Sequence, residues 1–124
     1  MATALALALA SPAIAEQYLI SHPGTTLTAA DVREVYVGEK QFAGSVKLVP
    51  VDNTAAQEQF LAKVLNLDKA KYAALWTKKG FRDGLNPPPV KSGDNDVLEF
   101  VKRTPGAVGY VNASPSGVTV VMKY

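Results

Sequence analysis

Three turns that join a predicted strand to a predicted helix carry the side chains best suited to binding an anion. They lie at residues 24–28, 52–54 and 92–93, and each contains hydroxyl or amide side chains. The first turn of a helix has backbone amides without intrahelical partners and a partial positive charge, so it can bind an oxyanion without a cationic side chain. The same residue types also occur as plain helix caps, which is the alternative interpretation of each turn. We predict a ligand-binding site formed by Asp52, Asn53, Thr54, Ser21 and Thr25.

Residue types that carry catalysis or bind metals are few in this chain. The sequence contains no cysteine and one histidine, His22, which excludes thiol catalysis and a multi-histidine metal site within one chain. Ser21 precedes His22, but adjacency along the sequence does not create a nucleophile with its base. The acidic pairs at positions 31/34 and 94/96 lie at predicted helix starts, where negative charge complements the helix dipole. We therefore predict no enzymatic activity, no metal site and no cofactor.

Length and charge narrow the class of protein further. The chain has 124 residues, of which 48% are hydrophobic, and this is the composition of one ordinary globular domain. The 13 basic and 11 acidic residues give a formal net charge of +2. This excess is too small to indicate nucleic acid as a partner.

The first 15 residues differ in composition from the rest of the chain. They read MATALALALASPAIA, carry no charge and end in the small-x-small pattern Ala13-Ile14-Ala15. An apolar stretch of this kind is typical of a cleavable secretory signal. We predict a signal peptide over residues 1–15, a mature domain over residues 16–124 that begins at Glu16, and a periplasmic location. The alternative is a buried N-terminal helix of the folded domain.

The remaining sequence alternates between strand and helix patterns, which predicts an α/β fold with a mixed sheet flanked by helices. Trp76 shares one helical face with Tyr72 and Leu75, so we predict that it belongs to the core and not to a ligand platform. The basic residues that follow, at positions 78, 79 and 82, suit a solvated helix end. The predicted elements are a strand at 17–21, a helix capped by Thr28 and ending at Gly38, a strand at 45–51, a helix capped by residues 52–54, a helix at 68–79, an extended segment at 80–90, a helix from 92–94 to 104, and strands at 107–111 and 118–123.

Four motifs resemble those of the phosphate ABC transporter substrate-binding proteins. One of them is the predicted strand Val46–Val51 followed by a capped helix that bears Phe60, which resembles the family's strand-to-helix turn. Residues 27–40, LTAADVREVYVGEK, resemble that family's segment L-s-x-x-d-v-r-x-I-F-x-G-k. Residues 104–111, TPGAVGYV, resemble its segment t-P-G-A-I-G-Y-v. Between them, a set of aromatic, glycine and proline residues resembles the family's central signature: Tyr72, Trp76, Phe81, Gly84, Pro87 and Pro88. The motifs occur in the family's order and cover about residues 25 to 111.

This resemblance implies a short, single-lobe member of the type 2 periplasmic binding protein superfamily that binds phosphate or a related oxyanion and is linked to an ABC transporter. The family's anion-binding turn, R-x-D-G-S-G-T, corresponds to residues 50–56, where Asp52 is kept and Thr54 supplies a hydroxyl. Pro50 replaces the arginine and Ala56 removes a second hydroxyl. Because an arginine fork contributes two charge-assisted hydrogen bonds to phosphate, the resemblance implies weak binding unless Lys40 or another cation assists.

A second interpretation remains open beside this one. The chain could be a non-enzymatic interaction or sensory module that kept the fold and lost the ligand, with a membrane transporter or sensor protein as its partner. The replacements at positions 50 and 56 favour this interpretation, whereas Asp52 and Thr54 favour oxyanion binding.

Overall fold

The computed structural model describes residues 16–124, so the predicted signal peptide lies outside the described residues. None of the helices in this part of the chain is long and apolar enough to cross a membrane. In chain order the elements are β1 (Tyr18–Ser21), α1 (Ala29–Tyr36), β2 (Phe42–Ala43), β3 (Val46–Lys47), β4 (Val49–Pro50), β5 (Asp52–Asn53), α2 (Gln57–Phe60) continued by a π-helical segment (Leu61–Leu65), α3 (Lys69–Asp83), β6 (Val90–Lys91), α4 (Asp94–Arg103), β7 (Ala107–Val111) and β8 (Thr119–Lys123).

A four-stranded mixed sheet with the order β4-β7-β1-β8 forms the centre of the fold. Strand β4 runs parallel to β7, whereas β1 runs antiparallel to both β7 and β8. Two shorter pairs flank it, the antiparallel pair β2–β3 and the parallel pair β5–β6. The predicted α/β class and mixed sheet are therefore confirmed.

Helices cover both faces of this sheet. Side chains alternate between the faces along each strand, so the central strands present apolar side chains on both sides. On one face, Leu19, Val108 and Tyr110 pack in a cluster with buried side chains of α1, α2 and α3. On the other face, Ile20 and Val111 pack with buried valines of α4. The two central strands, β1 and β7, are thus enclosed by helices on both sides.

Trp76 lies in the core, as predicted. Only 7% of the residue is exposed, and its indole N–H donates a hydrogen bond of 3.1 Å to the carbonyl oxygen of Tyr36. Tyr72, one turn earlier, is buried in the same cluster. The indole therefore joins α3 to the end of α1.

The predicted cap of the second helix is wrong. Residues 52 and 53 form strand β5, and α2 begins four residues later at Gln57, with Ala56 as an N-cap that makes no side-chain hydrogen bond. The cause is a turn closed by Asn53, whose side-chain and main-chain oxygens accept hydrogen bonds from the amides of Ala55 and Ala56, both at 3.0 Å. The cap predicted at Thr28 is correct, since its hydroxyl accepts from the amide of Asp31.

Two further boundaries differ from the prediction. Helix α3 continues to Asp83, so the first part of the predicted extended segment is helical, and the helix stops where Gly84 adopts a left-handed conformation with φ of 68°. The predicted strand at 45–51 is divided into β3 and β4, because β3 turns back to pair with β2. Pro50 lies on β4 at the edge of the sheet, where a residue without an N–H is tolerated.

Candidate functional site

The five predicted site residues lie in two groups at opposite ends of the sheet. Ser21 pairs with Val108 near the start of β7, and its hydroxyl donates a hydrogen bond of 3.3 Å to the carbonyl oxygen of Thr25. The segment 52–54 lies near the other end of β7, where Ala55 accepts a hydrogen bond from Asn112. Val108 and Asn112 are separated by four residues, roughly 13 Å along an extended strand. Ser21 and Thr25 therefore do not share a site with residues 52–54.

Asp52 is a buried carboxylate held by two tyrosines. It is 1% exposed, and its two oxygens accept hydrogen bonds of 2.8 Å from the Tyr72 hydroxyl and 2.6 Å from the Tyr110 hydroxyl. Burial raises the pKa of Asp52, while hydrogen bonds from Tyr110, Tyr72 and Gln57 act in the opposite direction. Burial, followed by the nearby charge of Asp52, raises the pKa of both tyrosines far above the usual value.

The raised pKa of Asp52 makes a prediction about the pH dependence of stability. The folded pKa of Asp52 lies above its unfolded pKa, so the protonated side chain contributes favourably to the free energy of unfolding. This contribution is fully present below the usual aspartate pKa near 3.8 and is lost as pH rises through the folded pKa. We expect the free energy of unfolding of the parent, relative to that of Asp52→Asn, to fall as pH rises from below 3.8 through the folded pKa of Asp52. Urea unfolding of both proteins across this range measures the difference. A difference that stays constant or rises would contradict the prediction.

Asn53 joins neighbouring segments through buried hydrogen bonds. It is fully buried, and its side-chain amide donates hydrogen bonds of 2.9 Å to the carboxylate of Asp94 and 2.9 Å to the carbonyl oxygen of Tyr110. The amides that follow also have acceptors within the chain: that of Thr54 donates to the carbonyl oxygen of Lys91 at 3.0 Å, and those of residues 55 and 56 donate to Asn53. A helix that started at residues 52–54 would leave the next backbone amides without partners. In the structure the amides of residues 54–56 are already hydrogen-bonded within the chain.

Thr54 lies beside a polar cavity of about 340 Å³, which we call the Thr54 cavity. The side chain of Thr54 is exposed, and Lys69 and Asn112 line the same cavity. The first residues of α2, Gln57 and Glu58, also line it, and first-turn amides have no intrahelical acceptor. A hydroxyl, a cation and the N-terminal end of a helical segment thus surround one space.

Gln17 lines the Thr54 cavity and carries a buried oxygen without a partner among the described residues. The residue is 3% exposed, and its side-chain N–H donates to the Asn112 carbonyl oxygen at 2.8 Å. Its own Oε1 has no hydrogen-bond partner within residues 16–124. Such an atom is costly to bury unless a donor reaches it. The cavity can offer hydrogen-bond donors from Thr54 and Lys69 to one polar ligand.

Sequence reasoning missed Gln17, Lys69 and Asn112. Gln17 and Asn112 are 95 positions apart, and only the pairing of β1 with β7 brings them together. The expected assisting cation, Lys40, lies instead beside Thr25 and is 3.9 Å from the carboxylate of Asp31. The spacing of Gln17, Lys69 and Asn112 along the sequence does not indicate that they lie close together.

Pro50, which stands at the arginine position of the family motif, does not line the Thr54 cavity. It lies in the wall of a different cavity, beside Trp76 and Leu85. Within residues 16–124, no group of three or more His, Asp or Glu side chains is arranged to hold a metal ion.

Comparison with known proteins identifies the fold. No protein-family model and no curated protein matches the chain. Among solved structures, it is similar to an ABC-type phosphate transport receptor from Vibrio cholerae, with a TM-score of 0.62, 14% identity, and coverage of 87% of this chain and 46% of the receptor. A putative phosphate ABC transporter substrate-binding protein from Clostridium perfringens with bound phosphate gives a TM-score of 0.54, 18% identity, and coverage of 87% and 45%. PstS from Borrelia burgdorferi gives 0.55, 16%, and coverage of 78% and 41%.

These comparisons confirm the resemblance at the level of the fold. The chain has the fold of part of a phosphate transport receptor, and it spans somewhat less than half the length of each receptor.

Proposed function

We propose that this chain is an exported, periplasmic solute-binding-like protein that binds phosphate or a related oxyanion weakly in the Thr54 cavity. The observation that carries the proposal is that Thr54, Lys69 and the start of α2 surround one polar space. The likeness in fold to phosphate transport receptors supports it. Thr54 would contact the ligand, while Asn53 and Asp52 would hold the segment in place through their buried hydrogen bonds.

The same geometry supports low affinity. Lys69 is the only cationic residue among those that line the Thr54 cavity in the described part of the chain, and the acidic residue Glu58 lines it as well. Each missing charge-assisted hydrogen bond weakens binding by about 1.5–3 kcal/mol, which corresponds to roughly one to two orders of magnitude. We therefore propose micromolar or weaker affinity for phosphate.

Removing the hydroxyl or the cation should weaken phosphate binding. We expect Thr54→Val and Lys69→Gln each to raise the Kd for phosphate by about tenfold, since the first removes a hydrogen bond to a charged oxygen and the second removes the positive charge of the donor. Calorimetric titration of the purified protein with phosphate measures the change. Thr26→Val is the matched control, because Thr26 lines the cavity at the opposite end of the sheet and its loss should leave the Kd unchanged.

An equal effect of Thr26→Val, or no effect of either cavity variant on a measurable Kd, would place the phosphate elsewhere and contradict the proposed site.

A second candidate function rests on a separate observation. Both oxygens of Asp52 accept from tyrosines and the amides of residues 54–56 are hydrogen-bonded within the chain, so the segment that matches the family's anion-binding turn is already satisfied. This favours a non-enzymatic interaction or sensory module that kept the fold and lost the ligand. Its partner would be a membrane transporter or sensor protein. Absence of phosphate binding in the calorimetric titration would support this alternative.

A further inference from the structure

A second cavity lies between α3 and the proline-rich segment that follows it, and Gln57 is the one described lining residue that it shares with the Thr54 cavity. Its volume is about 430 Å³. Tyr72 and Trp76 form one wall, Pro87 and Pro88 form another, and Asp52 lies among the lining residues. We call it the Asp52 cavity. Cavities of this kind, largely apolar with a few polar groups, are typical of small-molecule sites.

Asp52 has no cationic partner. No ion pair within residues 16–124 includes it, and no lysine or arginine lines the Asp52 cavity. The titratable groups that interact with it are three tyrosines, Tyr36 from α1, Tyr72 from α3 and Tyr110 from β7. A buried carboxylate is costly unless it is paired. The hydroxyls of Tyr72 and Tyr110 and the side chain of Gln57 donate hydrogen bonds to Asp52, and none of these groups carries a positive charge.

We propose that the Asp52 cavity binds a small organic monocation, an ammonium group attached to an apolar or aromatic body. The ammonium would lie near Asp52 and compensate its charge, and the body would pack against the rings of Tyr72 and Trp76 and against the two prolines. Aromatic rings attract ammonium groups through their negative faces. An anion is disfavoured in this cavity because the only formal charge among its lining residues is negative.

The chain carries its own reporter for this site. Trp76 is the only tryptophan in the sequence, and it lines the Asp52 cavity. We expect protonated phenethylamine to produce a saturable change in tryptophan fluorescence at neutral pH. Its neutral counterpart, 2-phenylethanol, should bind about tenfold more weakly because it lacks the charge. Equal affinity of the two compounds, or no saturable change with phenethylamine, would overturn the proposal.

Two variants locate the site. Asp52→Asn is expected to abolish the preference for the cation over the alcohol, whereas retention of that preference would overturn the proposal. Ala73→Leu introduces a larger side chain at an exposed residue in the cavity wall and should abolish binding without touching Asp52. Ala74→Leu is its matched control, since Ala74 is equally exposed and lines a different groove. If Asp52→Asn fails to fold, binding retained by Ala73→Leu would by itself overturn the proposal.

Discussion

Replacing Trp76 by alanine is expected to remove most of the stability of the domain. The indole is 7% exposed, packs in the main core cluster and donates to the carbonyl oxygen of Tyr36. Truncating a buried tryptophan costs about 3–5 kcal/mol. A small domain has a free energy of unfolding near the lower end of about 5–15 kcal/mol, so this loss removes most of it. Chemical unfolding followed by circular dichroism measures the effect.

The control for this variant is Trp76→Phe, which keeps an aromatic ring in the core and loses only part of the volume and the hydrogen bond. We expect it to fold with an intermediate stability. An alanine variant that unfolds at the same denaturant concentration as the parent would show that Trp76 does not support the core.

Replacing Gly106 by alanine is expected to have an effect of similar size. Gly106 has φ of 83°, which is unfavourable for a side chain, and an added Cβ would collide with the carbonyl oxygen of Lys47. The carbonyl oxygen of Gly106 also accepts a hydrogen bond from the amide of Val49, which joins β4 to β7. Backbone strain of about 1–3 kcal/mol and overpacking of about 1–3 kcal/mol together predict a loss of roughly 2–6 kcal/mol.

Gly84→Ala separates the two contributions. Gly84 has a similar φ of 68°, but nothing lies within 4 Å of the position that its Cβ would occupy. It should therefore lose only the conformational part, about 1–3 kcal/mol. Equal unfolding midpoints for the two alanine variants would contradict the predicted collision at Gly106.

The local features of the fold could be predicted from the sequence. The cap at Thr28, the helical face of Trp76 and the strand 107–111 depend on residues close together in the chain, and the structure has each of them. The helix cap at residues 52–54 could not be predicted correctly. Asp52 and Asn53 have the residue types of a cap, but pairing with Val90 and Lys91 places them in a strand. Tertiary pairing thus decided between two local structures that the same residues can form.

The sequence indicates only some of the residues that the structure brings together around Thr54, for a related physical reason. The sequence indicated Thr54, which lines the polar cavity. It did not indicate Gln17, because a glutamine at the start of a strand has no distinctive pattern and its position depends on a contact with Asn112. It placed Ser21 and Thr25 in the same site, since the antiparallel direction of β1 against β7 was not known.

The most direct test of oxyanion binding is a phosphate titration followed by amide chemical shifts in nuclear magnetic resonance spectra. We predict saturable shifts of the backbone amides of residues 54–58 and of the side-chain amides of Gln17 and Asn112, which line the Thr54 cavity. The amides of Thr25 and Thr26, at the opposite end of the sheet, should not move. Unchanged amides at residues 54–58 in millimolar phosphate would contradict the proposed function.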